Sequence, residues 1–198
     1  MDMLPIECIV RGYFYGSLFS RWKNGKISLN KDASTELAAK LSKPIFDPTT
    51  KSTHDIPVGR DDAISMELVT IDEYDWLSEK SIKIYKKMAT VADESGFILA
   101  DLKLEFGKLN NEIFLADSIG PDEFRLWPKD TYTIGETQEA YDKQLLRDWL
   151  TENNYQKKFD DARSSGEEPI APSIPSDLVS KMTKRYVTAY ESMTGNTL

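Results

Sequence analysis

Hydrophobic and charged residues alternate along the first half of the segment 97–117. Asp101, Lys103 and Glu105 occupy every second position, and leucine or phenylalanine fills the positions between them. A period of two is typical of a β-strand with one buried and one exposed face. After glycine and asparagine residues, a second apolar stretch ends at Asp117. The pattern therefore predicts a β-hairpin that carries charged side chains on one face.

The charged face of this hairpin has two interpretations. A turn formed by residues 110–112 would place Glu105 directly opposite Asp117. Like charges in that position are unfavourable, and a divalent cation between them would relieve the repulsion. Mg²⁺ is a natural candidate, because it is usually held by one or two carboxylates together with substrate phosphates. The alternative is an ordinary amphipathic hairpin whose charges are solvated.

Helical periodicity appears on both sides of the hairpin. Thr70 and Glu73 form a capping-box pattern at the start of a long helix, and Gly96 is suited to its end. Further helices are predicted at 32–41, 138–151 and 176–195, and residues 157–175 read as a surface linker. We therefore expect one α+β domain over 1–198, with a mainly antiparallel sheet flanked by helices.

A short apolar strand near the N-terminus leads into Arg11, followed by Gly12, Gly16 and Ser17. Arginine supplies a fixed multidentate charge, glycine allows backbone N–H groups to approach an anion, and serine adds a donor. The segment is either a phosphate cradle or a plain strand and turn.

A proline-punctuated stretch, 44–51, is expected to be an extended loop that leads to His54 and Asp55. Long loops in compact domains are usually functional or disordered. This pair could orient a carboxylate or an amine of a substrate. The alternative is a histidine exposed on a loop.

Charge and rare residues exclude several classes of protein. The 198 residues carry a net charge of −8, which disfavours a general nucleic-acid or membrane-surface role. One cysteine and one histidine exclude a disulfide framework and a multi-histidine zinc site within the chain. We find no apolar run of about 18 residues and no signal-peptide pattern, so a reduced, cytoplasmic compartment is expected.

Seven stretches in order resemble the SAICAR synthetase (phosphoribosylaminoimidazole-succinocarboxamide synthase) family. They are LPIECIVRGYFYGSL, KPIFDPTTK, HD before a polar loop, GFILADLKLEFG, GPDEFRLWP, YDKQLLRDWL and RYVTAYESMTG. The resemblance covers most of the chain. It implies an ATP-dependent ligase that joins L-aspartate to the carboxylate of carboxyaminoimidazole ribotide in purine biosynthesis.

The resemblance also implies roles for residues at the charged positions. Arg11, Ser17 and Arg125 match the residues that hold the 5′-phosphate of the ribotide. Glu105 and Asp117 match the acids that hold Mg²⁺.

Four further residues match the reacting part of the family site. Asp101 and Lys103 match the pair next to the reacting carboxylate, and His54 with Asp55 matches the loop on the aspartate side. Activating a carboxylate as an acyl phosphate depends on positioning and charge neutralisation, which Lys103 would provide. Asp101 would accept the proton of the attacking amine.

The chain departs from the family pattern in three places. A β-rich lobe that closes over ATP has no counterpart here, and the sequence contains no glycine-rich phosphate loop. Glu123 and Phe124 replace two hydroxyl residues before the arginine, and Ser118 replaces an acid after Asp117. We therefore expect the 198-residue chain alone to bind Mg-ATP poorly, to show little ligase activity and to self-associate through residues 1–5.

Two other functions remain open. One is a catalytically inactive module that retains the ribotide pocket. The other is a structural interaction protein that uses the surface on the ATP side.

Overall fold

The computed structural model describes residues 1–28, 34–52 and 55–198. These residues form one antiparallel sheet with helices around it. The strands are β1 (Asp2–Tyr13), β2 (Lys40–Phe46), β3 (Thr49–Thr50), β4 (Phe97–Leu109), β5 (Glu112–Leu115) and β6 (Phe124–Pro128). The helices are α1 (Gly16–Lys23), α2 (Arg60–Ser65), α3 (Ile71–Glu94), α4 (Gln144–Glu152), α5 (Tyr155–Ser164) and α6 (Ser176–Thr194). The predicted α+β class is confirmed.

Two long strands, β1 and β4, form the centre of the sheet. They pair with each other in antiparallel register. β2 and β3 pair one after the other with the free side of β1, and β5 and β6 pair with the free side of β4. Each central strand is therefore covered on both edges, which fixes its alternating side chains in place.

The two faces of the sheet differ sharply in polarity. Side chains at alternate positions of the central strands, such as Ile6, Val10 and Leu102, are fully or almost fully buried in the main core. Leu77 and Tyr85 of α3 belong to the same core. The odd-numbered positions 7–11 of β1 and 101–105 of β4 face away from this core, whereas a register shift between Leu99 and Asp101 leaves Phe97 and Leu99 within it. The charged side chains that the sequence pattern singled out lie on that opposite face.

Helix α3 begins and ends as the sequence predicts. The Thr70 hydroxyl accepts a hydrogen bond from the Glu73 N–H at 3.3 Å, and the Glu73 carboxylate accepts one from the Thr70 N–H at 2.8 Å. Gly96 follows the helix with a φ of 83°, a conformation that favours glycine. The reciprocal capping box is therefore confirmed.

The hairpin of β4 and β5 is confirmed, but its register is not the predicted one. The turn consists of Asn110 and Asn111 alone, with φ angles of 53° and 66°. This left-handed pair is typical of tight hairpins, and asparagine tolerates it. The shorter turn shifts the pairing by one residue. Ala116, not Asp117, donates its N–H to the carbonyl of Glu105 at 2.9 Å, so the predicted direct pairing of the two acids is wrong.

Three other predicted boundaries are corrected. The described part of the predicted helix at 32–41 is not helical, and its last two residues belong to β2. The helix predicted from residue 138 begins at Gln144, because Tyr141 and Asp142 are instead hydrogen-bonded to Leu126 of β6. The first half of the predicted linker 157–175 lies in α5, which leaves only its second half without regular structure.

Among the described residues, none of the helices is long and apolar enough to cross a membrane.

Candidate active site

A cavity of about 320 Å³ lies on the polar face of the sheet, opposite α3. The odd-numbered residues of β1 and β4 form its floor. Six residues that the sequence predicts for the site line it: Arg11, Ser17, Asp55, Asp101, Lys103 and Arg125. Because the same sheet supports most of them, their relative positions are fixed by strand register and not by loop conformation.

One end of the cavity is built around Arg11. This arginine is 5% exposed, and its guanidinium donates to the Ser17 hydroxyl at 2.7 Å and to the Asp47 carboxylate at 2.5 Å. Arg21 of α1 contacts the same Asp47 oxygen at 2.5 Å. Burial disfavours the charged form of Asp47, but the hydrogen bonds from Arg21 and Arg11 outweigh it and lower the pKa. The arginines are thus held rigidly by an internal counter-charge.

Arg125 completes this end of the cavity from β6. In the strand register it lies opposite Asp101, and its guanidinium donates to the Asp101 carboxylate. The same guanidinium lies 5.0 Å from the centre of the Tyr15 ring, and Arg11 approaches Asp101 to 3.6 Å. Two arginines from distant parts of the chain therefore converge on one carboxylate, next to the start of α1.

The middle of the cavity contains a cluster of three glutamates around one lysine. The Lys103 ammonium lies 3.4 Å from Glu7, 2.7 Å from Glu105 and 2.9 Å from Glu123. Glu105 is also in contact with the ammonium of Lys51. Burial opposes the charge of Lys103, but its glutamate neighbours prevail and raise its pKa. Burial likewise opposes the charge of Glu105, but Lys103 and Lys51 prevail and lower its pKa.

Strand register explains why the lysine is needed. Glu7 of β1 lies directly opposite Glu105 of β4. Like charges in that arrangement repel each other. The sequence pattern predicts such repulsion between Glu105 and Asp117 instead. Within the described structure the ammonium of Lys103 contacts both carboxylates, and Lys51 adds a second cation to Glu105.

Asp142, Lys143 and Arg147 also line the cavity. Asp142 is 3% exposed and accepts a hydrogen bond from the Leu126 N–H at 3.0 Å and another from the Gln144 N–H at 2.7 Å. Burial raises the pKa of Asp142. Burial and the nearby Arg147 lower the pKa of Lys143. The cavity therefore combines arginine and lysine cations with a cluster in which three glutamates surround Lys103.

Comparison with known proteins identifies the family of this arrangement. A family model described as SAICAR synthetase matches residues 1–162. The chain belongs to the SAICAR synthetase family. A phosphoribosylaminoimidazole-succinocarboxamide synthase of Nitrosopumilus maritimus is 65% identical over 198 residues, covering 100% of this chain and 72% of that protein. The Saccharomyces cerevisiae synthase is 36% identical over 202 residues, covering 98% of this chain and 62% of that protein.

Solved structures of the same family share the fold. The SAICAR synthase of Saccharomyces cerevisiae complexed with SAICAR matches with a TM-score of 0.78 and 34% identity, covering 100% of this chain and 62% of that one. A SAICAR synthetase in complex with ADP matches with a TM-score of 0.68 and 26% identity, covering 100% and 66%. The chain spans 62–72% of the length of these relatives.

Two predicted site residues do not line the cavity, and a third lies outside the described part of the chain. Glu105 lies beneath the cavity and reaches it through Lys103. Asp117 is exposed beyond the end of β5, where its carboxylate accepts a hydrogen bond from the Ser118 N–H. His54 lies outside the described residues. Among the described residues, no three acidic, histidine or cysteine side chains are grouped to hold a metal ion.

Glu123 has a structural role beside Lys103. Its carboxylate contacts the Lys103 ammonium at 2.9 Å. Its backbone carbonyl also accepts a hydrogen bond from the Lys103 N–H at 2.7 Å. Glu123 is therefore the third acid of the lysine cluster.

Sequence reasoning missed several residues of this site. They are Glu7, Arg21, Asp47, Lys51, Lys143 and Arg147. Glu7 gave a usable signal, since a charged residue within an apolar strand needs a partner. Four of the others lie in two stretches that resemble the family, KPIFDPTTK and YDKQLLRDWL, and the resemblance was the available signal for them. No local pattern separates Arg21 from its neighbours.

Proposed function

We propose that this chain forms the ribotide- and aspartate-binding part of an ATP-dependent ligase that joins L-aspartate to carboxyaminoimidazole ribotide and yields SAICAR. The observation that carries the proposal is the convergence of Arg11, Ser17 and Arg125 at one end of the cavity whose centre holds Lys103. The family membership and the relatives' names support it. The reaction belongs to purine biosynthesis, and a cytoplasmic location is part of the proposal.

The arginine end is the proposed site of the ribotide phosphate. A phosphate there receives multidentate donation from Arg11 and Arg125 and a hydroxyl donor from Ser17. In the structure these groups are already oriented by Asp47 and Asp101. Because the donors are held in place before the ligand arrives, little conformational entropy is lost on binding.

Lys103 and Asp101 are the proposed residues at the reacting carboxylate. The ammonium of Lys103 offsets negative charge on the carboxylate as it is activated, which is the main requirement of phosphoryl transfer. The ribotide phosphate competes with Asp101 for Arg125, which leaves an Asp101 oxygen free to accept the proton of the aspartate amine. Asp55, at the cavity wall, is proposed to contact the aspartate substrate together with His54.

Glu105 and Asp117 are proposed to hold Mg²⁺ when nucleotide phosphates are present. Their oxygen atoms are the ligand type that Mg²⁺ takes, and two carboxylates suffice only when phosphates complete the shell. In the structure Glu105 is held by Lys51 and Lys103, and Asp117 is exposed beyond the end of β5. Bound there, the ion would neutralise phosphate charge, while Lys51 and Lys103 keep Glu105 ionised.

The proposal is tested by calorimetric titration of the chain with SAICAR, the molecule present in the yeast structure. We expect saturable binding with a dissociation constant near the micromolar scale, about −8 kcal/mol. Inorganic phosphate should compete with SAICAR, because it would occupy the arginine end, where the ribotide phosphate is proposed to bind. Absence of SAICAR binding at millimolar concentration would contradict the proposed function.

The same chain is expected to bind Mg-ATP poorly and to release little ADP with ribotide and aspartate. It matches only 62–72% of its relatives' length, and a nucleotide site gains affinity and water exclusion from both of its walls. A coupled ADP-release assay checks this. Submicromolar ATP binding, or turnover of about 1 s⁻¹, a common enzyme rate, would show that the expectation is wrong.

Replacing Gly16 by alanine should weaken SAICAR binding several-fold. Gly16 has a φ of 59°, and a β-carbon there would lie 2.8 Å from an Arg125 nitrogen. The variant combines backbone strain of about 1 kcal/mol with displacement of the guanidinium. Gly25→Ala is the matched control, because Gly25 has a φ of 68° and no atom lies within 4 Å of the position that its β-carbon would take.

Both glycine variants should lose similar stability in urea unfolding, but only Gly16→Ala should lose affinity. Equal SAICAR affinity in the two variants would show that close packing of Arg125 on Gly16 is unimportant for binding.

A further inference from the structure

Helix α6 lies outside residues 1–162, the part of the chain that the family model matches. It nevertheless packs into the main core, where Ala189 is 3% exposed and Met193 is partly buried. Its middle turn carries Arg185, whose side chain is 15% exposed. A half-buried arginine on an otherwise peripheral helix calls for a specific partner.

The partner of Arg185 is the segment that enters the cavity rim. One guanidinium nitrogen donates to the Ala140 carbonyl at 2.7 Å, and another donates to the Glu139 carboxylate at 2.6 Å. The guanidinium also lies 5.4 Å from the centre of the Tyr141 ring. Three consecutive residues, 139–141, are therefore held by one side chain of α6.

This segment is fixed to the sheet on its other side. The Tyr141 N–H donates to the Leu126 carbonyl at 2.9 Å, and the Asp142 carboxylate accepts from the Leu126 N–H at 3.0 Å. Leu126 immediately follows Arg125 on β6. Asp142 is followed along the chain by Lys143, which lines the cavity. The segment thus connects Arg185 to two cations that line the cavity, Arg125 and Lys143, over very few bonds.

The residue after Arg185 also turns toward the rim. The Tyr186 hydroxyl is buried, close to the carboxylates of Asp122 and Asp142. Burial and the negative charges of Asp122 and Asp142 raise the pKa of Tyr186 to about 12. Asp122 and Asp142 both line the cavity, so α6 approaches the site through two successive side chains.

From these contacts we propose that Arg185 is a positioning residue for ligand binding: by fastening residues 139–141 to α6, it sets the position of Lys143 at the cavity rim. Arg185 does not line the cavity, so its effect on a ligand passes through the segment that it holds. This inference rests on the proposed function for the identity of the ligand, and on the contacts alone for the mechanical role.

The first test needs no ligand. Hydrogen exchange is compared in the wild-type chain, Arg185→Ala and the matched control Lys184→Ala, which changes an exposed cation one position earlier. We expect Arg185→Ala to accelerate exchange of the amides of Tyr141 and Gln144 about tenfold, with β1 and β4 unchanged, whereas the control has no effect. Equal exchange in Arg185→Ala and Lys184→Ala would overturn the proposal.

The second test is a double-mutant cycle on SAICAR affinity. Arg185→Ala should weaken binding about tenfold, equivalent to ~1.4 kcal/mol. In a Lys143→Ala background the same change should cost less than about twofold, because the side chain that Arg185 positions is gone. Arg185→Lys, which keeps one donor, should recover part of the loss and serves as the working variant if Arg185→Ala does not fold.

The possible failures can be told apart. Additive losses of affinity in the cycle would show that Arg185 does not act through Lys143. A wild-type chain that fails to bind SAICAR would contradict the proposed function, while the exchange comparison still decides whether Arg185 holds the segment.

Discussion

Replacing Lys103 by methionine is expected to lower the free energy of unfolding by about 2–3 kcal/mol and to weaken SAICAR binding at least tenfold. The change leaves Glu7, Glu105 and Glu123 close together without their shared cation. Removing one partner of a buried ion pair typically costs about 3–5 kcal/mol, and the Lys103 side chain is 25% exposed, so we expect a smaller loss. Methionine retains the aliphatic stem, which separates the loss of charge from a loss of packing.

The stability loss should depend on pH in a defined direction. Because the pKa of Glu105 is lowered in the folded chain, its contribution to stability is present above the unfolded value of about 4.3. That contribution is lost as the pH falls through the lower, folded value. In Lys103→Met the pKa of Glu105 should move back up, so acid unfolding should begin at a higher pH than in the wild type.

Urea unfolding between about pH 3 and 7, followed by tryptophan fluorescence, measures both effects. The matched control is Lys129→Met, which removes an ammonium paired with Asp93 on the surface, where the lysine side chain is 42% exposed. The control should change stability by less than about 1 kcal/mol. Equal stability of the two variants would mean that the glutamate cluster does not depend on Lys103.

Replacing Arg125 by alanine should weaken the binding of SAICAR and of inorganic phosphate alike. The guanidinium is 13% exposed and contacts Asp101, and a charge-assisted hydrogen bond typically contributes about 1.5–3 kcal/mol, or about 10- to 150-fold in affinity. The salt dependence of binding should also decrease, because one fewer cation faces the phosphate. Arg125→Lys should recover only part of the affinity, since lysine cannot reproduce the planar fork.

Calorimetry with both ligands tests this prediction. Arg60→Ala is the control, because Arg60 pairs with Asp75 on the surface and is 43% exposed. It should leave both affinities unchanged. If Arg125→Ala binds phosphate as tightly as Arg60→Ala does, Arg125 is not part of the anion site.

Alternation along β1 and β4 was predictable because strand geometry ties side-chain direction to residue number. The pattern at Asp101, Lys103 and Glu105 therefore assigned all three to one face, and the structure confirms this. The length of the hairpin turn was not predictable from the same pattern. Asn110 and Asn111 both tolerate left-handed φ angles, so turns of two and three residues were equally compatible with the sequence, and one residue changes every partner across the hairpin.

The partners of the charged residues were harder to predict than their positions. Glu7 and Lys103 lie 96 residues apart, and no local pattern indicates that the two strands are neighbours. The convergence of Arg11 with Arg125 followed from the family resemblance, not from periodicity. Likewise, the sequence predicts a helix at Lys40 and Leu41, which lie in β2. The helical preference of the preceding residues carries no information about the pairing that β1 offers to a strand.

The pairing of β1 with β4 also determines when the binding site can exist during folding. The two strands are separated by the length of chain that contains α1, α2 and α3, so a large loop must close before they meet. Proteins dominated by such distant pairings fold slowly, in about milliseconds to seconds. The arginines and the glutamate cluster are assembled in the same closing step as the sheet itself. Phosphate affinity should therefore appear in a single phase with complete folding, and a nascent chain that ends before β4 should have none.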